Sequence, residues 1–89
     1  MSENKQTGWW VYMIQCANGQ LYTGCTTNVE RRFKEHSSGG VKAAKFLRGK
    51  GPLTLVYQES VSDRSQALKR ELAIKKLTRI QKMDLFVSN

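Results

Sequence analysis

The sequence predicts an α+β fold, a small sheet with helices packed on it. Two short runs rich in aromatic and β-branched residues, WWVYMIQC (9–16) and QLYTGC (20–25), flank an Asn-Gly turn and read as a hairpin. Helix-capping residues recur downstream, at Thr27 or Asn28, at Ser62 or Asp63, and at Thr78. The resulting order is strand, strand, helix, short helix, strand, helix, helix, which gives a layered α+β arrangement. A chain of 89 residues has room for one core.

Residues 1–8, MSENKQTG, are polar and lack the apolar core of a signal peptide. They are expected as a flexible lead to a single domain over residues 9–86. The first helix carries Glu30 in its first turn, and Gly39-Gly40 end it. A basic segment follows, VKAAKFLRGKG (41–51), with helical character in its first half. Pro52 opens a third strand, PLTLVYQES, and a long helix then runs to about Leu77. Thr78 and Gln81 have capping-box spacing and begin a last helix, TRIQKMDLF. The hairpin makes the first two strands antiparallel, and periodicity alone does not say where the third joins.

The charge balance is lopsided, with 15 Lys and Arg against 7 Asp and Glu, a net +8. Basic side chains that bind phosphates release condensed counterions, so a polyanion is the natural partner. Nucleic acid is favoured over a membrane. The Lys and Arg do not line one face of an amphipathic helix opposite bulky apolar residues, and the longest apolar stretch is far below a bilayer span. Cys16 and Cys25 lack metal-ligand spacing. They read as small buried hydrophobes of a reducing cytoplasm, with a cross-strand disulfide or a reactive thiol as alternatives.

Three places carry candidate chemistry. In the hairpin, a two-residue Asn18-Gly19 turn makes paired positions sum to 37 and sends Tyr12 and Tyr22 to opposite faces. A three-residue loop with Gly19 left-handed makes them sum to 36. Tyr12 then lies opposite Gly24, both tyrosines share a face, and Gly24 leaves space for a ligand to approach the backbone. Composition is compatible with either. On the first helix, Val29 and Phe33 mark the buried line, and Arg32 and His36 form a parallel line beside it. Arg31, Lys34 and Glu35 are expected to point elsewhere, as solvated charges. An Arg and a His aimed together at the helix–sheet boundary suit phosphate binding and proton relay. On the long helix, Ala67, Leu68 and Ile74 define an apolar arc with Glu71 inside it. A carboxylate there needs a partner: Lys75, one turn on, or a divalent cation completed by waters and phosphates.

Read together, these residues resemble the GIY-YIG nuclease superfamily. Val11-Tyr12-Met13 and Tyr22-Thr23-Gly24 stand in the positions of its two naming motifs, followed in order by Arg32, His36 and Glu71. The chain is most similar to the small stand-alone bacterial members, in which segments like ERRFKEHSSG, LRGKGPLTLVY and DRSQALKRELAIKKL recur in this order. The resemblance covers roughly residues 8–82. It implies a three-stranded antiparallel sheet flanked by helices, and metal-dependent hydrolysis of a nucleic-acid phosphodiester. By carry-over, Glu71 would hold Mg2+ or another divalent cation. Tyr12 or Tyr22 would position or deprotonate the attacking water. An unperturbed tyrosine titrates near pH ~10, so a tyrosine base needs positive charge beside it. Arg32 would stabilise charge on the phosphoryl oxygens, His36 would relay a proton or orient a tyrosine, and Gly24 would allow close packing.

The chain departs from the pattern in lacking the leading Gly of the first motif, in Met13 and Thr23 where Ile is usual, and in having no clear Asn after the Glu helix. Many members also carry a further domain that finds the DNA. Here Lys42, Lys45, Arg48 and Lys50 are the candidate substrate-binding residues, with Lys69, Arg70, Lys76, Arg79 and Lys82 as a second basic set. The expected function is a divalent-metal-dependent endonuclease acting on nucleic acid, DNA ahead of RNA, in the cytoplasm. The alternative is a basic nucleic-acid-binding module with weak or no turnover. A shared site requires Tyr12 and Tyr22 on one face, so this reading favours the three-residue loop.

Overall fold

The computed structural model describes residues 8–87. Residues 1–7 of the expected lead lie outside the described residues. The elements are β1 (Trp9–Gln15), β2 (Leu21–Thr26), α1 (Val29–Ser38), a 3-10 turn (Lys45–Leu47), β3 (Thr54–Val61), α2 (Arg64–Lys75) and α3 (Arg79–Asp84). The three strands form one antiparallel sheet in the order β2-β1-β3. This order accounts for the composition of β1. A central strand covered on both faces has no polar side, and Val11, Tyr12, Met13 and Ile14 are all buried.

Alternation along β1 divides the core in two. Tyr12, Ile14 and Cys16 join Val29 of α1 and Leu47 on one face, with Phe33 and Tyr22 packed against them. Val11 and Met13 meet Ala67 and Ile74 of α2 on the other. α1 is capped by Asn28, whose side chain accepts from the Arg31 N–H, and ends at Gly39 with φ 71°. Asp63 caps α2, and Thr78 with Gln81 forms the full capping box of α3.

The hairpin takes the three-residue loop. Tyr12 pairs with Gly24 and Ile14 with Tyr22. The Cys16 N–H donates to the Gln20 carbonyl at 2.8 Å, the Gly19 N–H to the Cys16 carbonyl at 2.9 Å, and Gly19 has φ 91°. Both tyrosines therefore lie on the α1 face. On the other side of β1, Met13 pairs with Tyr57 but Ile14 with Leu55, so Val56 is the extra residue of a β-bulge.

Several boundaries differ from expectation. The basic segment forms one 3-10 turn at Lys45–Leu47 in place of a short helix in its first half, and buried Leu47 anchors it. β3 begins at Thr54, α2 ends at Lys75, and α3 ends at Asp84. Leu68 is exposed, so it does not belong to the apolar arc. At about 100° per residue, Ala67, Glu71 and Ile74 fall within a narrow sector, and Leu68 lies on its flank. Glu71 is nearer the centre of the buried line than Leu68.

The packing of α2 therefore predicts a contrast. Ile74 is fully buried and Leu72 is 60% exposed. Ile74→Ala should cost about 2–5 kcal/mol in urea unfolding, whereas Leu72→Ala should stay within ~0.5 kcal/mol. Equal effects would contradict this orientation of α2.

Candidate active site

Pairing of Tyr12 with Gly24 turns the Tyr12 ring across the second strand. A Cβ on Gly24 would lie 2.6 Å from Tyr12 Oη and 3.2 Å from Tyr22 Cε2. The space over Gly24 is thus filled by tyrosine, and its missing side chain lets both rings seat. From there Tyr12 Oη reaches His36 Nε2 at 2.8 Å. His36 also sits 6.0 Å from the Tyr12 ring and 5.4 Å, edge-on, from the Tyr22 ring, centroid to centroid.

The other imidazole nitrogen fixes the direction of this bond. The Ala44 backbone N–H donates to His36 Nδ1 at 3.2 Å. A peptide N–H can only donate, so Nδ1 carries the lone pair and the neutral ring holds its proton on Nε2. Burial, reinforced by the Arg32 charge, pushes the His36 pKa down to about 4, so the ring is neutral at pH 7. His36 therefore donates to Tyr12, and the Tyr12 hydroxyl proton is directed elsewhere. Burial raises the Tyr12 pKa above the ordinary phenol range, as does the neighbouring Tyr22, while Arg32 opposes the shift.

Arg32 is held beside Tyr12 by two acceptors. Its Nη1 donates to Glu35 Oε1 at 2.9 Å and to the Lys42 carbonyl at 2.6 Å. Glu35 is thus a partner of Arg32 and not the solvated charge expected from its helical position. The hydrogen bond from Arg32 holds the Glu35 carboxyl below its usual range.

Glu71 approaches the edge strand β2 from the α2 face. Its side chain is 18% exposed and its Oε2 lies 2.7 Å from Lys75 Nζ. Cys25, next to Gly24, donates its thiol to Glu71 Oε1 at 3.2 Å. Burial and the adjoining carboxylate push the Cys25 pKa up to about 11, which keeps the thiol protonated. Cys16 and Cys25 are both free. Among the described residues no three His, Cys, Asp or Glu side chains form a metal-binding cluster. The donor set at Glu71 is one carboxylate whose partners are a thiol and a half-exposed lysine. That set fits magnesium, which takes one or two carboxylates and completes its shell with waters and phosphate oxygens.

Around the β2 edge the two sides meet. A cleft of about 200 Å³ is lined by Leu21, Tyr22, Thr23, Phe46, Lys75 and Lys82. The Tyr22 and Phe46 rings stack at 6.0 Å, and Lys50 Nζ lies 3.6 Å from the Phe46 ring centre. A larger hollow of about 450 Å³ runs along the outer side of α1, but its wall is the solvated stretch from Asn28 to Ser38 and no tyrosine faces it.

The sheet, the paired motif tyrosines and the Arg32–His36 line match one known architecture. The sequence profile of the GIY-YIG catalytic domain matches residues 8–84. The chain belongs to the GIY-YIG family. Within it, the chain is similar to the UPF0213 proteins of bacteria. It is 55% identical over 76 residues to the UPF0213 protein YhbQ of Escherichia coli K12, covering 85% of this chain and 74% of that protein. It is 49% identical over 83 residues to the UPF0213 protein DP2720 of Desulfotalea psychrophila, covering 93% and 74%. The solution structure of the UPF0213 protein BH0048 from Bacillus halodurans aligns with a TM-score of 0.54 at 42% identity, covering 86% of this chain and 80% of its own.

In this GIY-YIG domain Tyr12, Tyr22, Arg32 and His36 come together on the α1 face, and Glu71 stands across the β2 edge. Among the basic candidates, Lys50 donates to Gln20 Oε1 at 2.9 Å and Arg48 to the Val41 carbonyl at 3.2 Å. Lys42 supplies its carbonyl to Arg32, and Lys45 is exposed. In the second set, Arg70 is paired with Glu59 at 3.0 Å, and Arg79 donates to the Gly19 carbonyl at 2.7 Å. Phe46, Glu35 and the Ala44 N–H were not singled out by sequence reasoning. For Phe46 the available signal is an aromatic residue inside a basic loop. No helix among the described residues is long and apolar enough to cross a membrane.

Two outcomes follow from the Tyr12–His36 geometry. The folded pKa of His36 lies below its unfolded value of 6.5, at about 4. On acidification through that window the unfolded chain takes up a proton that the folded protein refuses. Stability should therefore fall by roughly 3 kcal/mol between pH ~6.5 and pH ~4, and His36→Gln should flatten that slope in urea titrations. Gly24→Ala should displace Tyr12 from His36, which the imidazole 15N resonances will register; unchanged resonances would contradict the close approach over Gly24.

Proposed function

We propose that the protein is a magnesium-dependent endonuclease that hydrolyses nucleic-acid phosphodiester bonds, DNA in preference to RNA, in the cytoplasm. The observation that supports this most is a set of buried polar groups where packing would be served better by apolar ones. His36 is 1% exposed and Tyr12 is 2% exposed, and Arg32 is tethered beside them. Burying such groups carries a desolvation cost, which the hydrogen bonds of His36 and Arg32 offset.

Each residue has a distinct part. Glu71 would hold the divalent ion, whose bound form polarises the scissile phosphate and steadies the leaving oxygen. Arg32, pre-positioned by Glu35 and the Lys42 carbonyl, meets the charge that accumulates on the phosphoryl oxygens. His36 anchors the Tyr12 oxygen by donation, so it does not accept the Tyr12 proton in this tautomer. Burial raises the Tyr12 pKa and Arg32 opposes only part of that shift, so Tyr12 acts as a neutral phenol that orients its neighbours and not as the general base. Tyr22, in the wall of the cleft, positions the attacking water. Lys42, Lys45, Arg48 and Lys50 engage the backbone phosphates beyond the reacting one, with Gly24 admitting the rings beneath.

A second reading rests on one specific observation. Glu71 is already paired with Lys75, and among the described residues no three His, Cys, Asp or Glu side chains cluster to hold a metal. A domain of this kind with weak metal affinity would be a basic nucleic-acid-binding module with little or no turnover.

The assay separates the two. With duplex, single-stranded and branched DNA, Mg2+ should support cleavage that a chelator abolishes. Glu71→Ala should remove cleavage and retain binding, and Arg32→Ala should slow it about 10²–10³-fold. Salt-sensitive binding without metal-dependent nicking on any of these substrates would sink the endonuclease and leave the binding module.

A further inference from the structure

Lys75 stands at two functions at once. Its Nζ lies 2.7 Å from Glu71 Oε2, and its side chain is also part of the wall of the cleft shared with Tyr22, Phe46 and Lys82. The two members of the pair differ in freedom: the lysine side chain is 50% exposed and the glutamate 18%. The lysine has room to swing, whereas the carboxylate is held by the core-facing side of α2 and by the Cys25 thiol. An ammonium and a divalent cation cannot both sit against one carboxylate without strong mutual repulsion. Turned into the cleft, the same ammonium joins Lys82, where an anion is needed to balance both.

We propose that Lys75 is an exchangeable counter-cation, which neutralises Glu71 in the metal-free protein and turns into the cleft to bind a nucleic-acid phosphate when a divalent ion takes the carboxylate. The inference rests on the reading of Glu71 as the metal ligand. It makes metal loading and nucleic-acid binding reciprocal: each releases Lys75 from the position the other opposes, so each raises the affinity for the other. An ordinary Glu–Lys pair one turn apart on a helix has no such consequence, beyond the loss of one positive charge when the lysine is removed.

The test uses the whole chain and two probes, Mn2+ alone and a short DNA oligonucleotide. Free Mn2+ is followed by electron paramagnetic resonance for the wild type and for Lys75→Gln, Lys75→Arg and Lys82→Gln. The last removes the same charge from the same cleft without touching Glu71. Because the ion pair is half exposed, Lys75→Gln should tighten Mn2+ binding only roughly three- to fivefold. Lys82→Gln should produce less than half that change, and Lys75→Arg should bind Mn2+ as the wild type does. Oligonucleotide binding is then measured by anisotropy with Ca2+ or with a chelator. The wild type should bind more tightly with the metal, and Lys75→Gln should keep only the part of that gain that comes from the ion's own attraction for phosphate. Equal Mn2+ shifts in Lys75→Gln and Lys82→Gln, or a metal-dependent gain that is undiminished in Lys75→Gln, would overturn the exchange. A Glu71→Gln variant that binds Mn2+ as well as the wild type would instead overturn the reading of Glu71 as the ligand, and the inference with it.

Discussion

The hydrogen bond between Tyr12 and His36 is the constraint on which the rest of the site depends. It joins β1 to α1 inside the core at 2.8 Å, and the Ala44 N–H fixes the ring from the loop beyond. Three separate parts of the chain must therefore arrive in register. An unsatisfied buried donor or acceptor costs about 1–3 kcal/mol, so a slip in any one of them is penalised at once. The hairpin loop of three residues puts Tyr12 on the α1 face. Asn28 sets the start of α1 and hence the phase of Arg32 and His36. The 3-10 turn brings buried Leu47 inward and carries Ala44 with it. Gly24, lacking a Cβ, leaves the space that the Tyr12 ring fills.

The basic character of the chain is less of a free surface than its net charge of +8 implies. Arg32 and Arg31 are engaged with Glu35, Arg70 with Glu59, and Lys75 with Glu71. Arg79 ties α3 to the hairpin loop through the Gly19 carbonyl. Of the cations outside these pairs, Lys42, Lys45, Arg48 and Lys50 lie in the segment after α1 and Lys82 lines the cleft at the β2 edge, while Arg64, Lys69 and Lys76 belong to α2 and its end.

What the sequence makes legible follows from local chemistry. The existence of the hairpin, the places of the helix starts and the capping box depend on neighbours a few positions apart and are readable, whereas composition leaves the hairpin register open between a two- and a three-residue loop. The helical phase of α1 placed Arg32 and His36 together, and that of α2 exposed Glu71 as an anomaly with Lys75 as its partner. What was not legible depends on long-range contacts. Ala44 offers only a backbone N–H to His36, which no side-chain pattern encodes. Glu35 turns to Arg32 because Arg32 is drawn toward Tyr12 and the Lys42 carbonyl. Leu68 was misread because apolar character alone does not reveal which side of a helix the sheet occupies. The bulge at Val56 has no glycine or proline to announce it.

The direction of the Tyr12–His36 bond is the claim that most of this account needs, since it makes His36 a donor that prepares Tyr12 and not a base that deprotonates it. A long-range 1H–15N correlation spectrum of the imidazole at pH 7 measures it directly. The account predicts a neutral His36 ring with its proton on Nε2 and a bare Nδ1 accepting from Ala44. A ring protonated on Nδ1, or on both nitrogens, would contradict it.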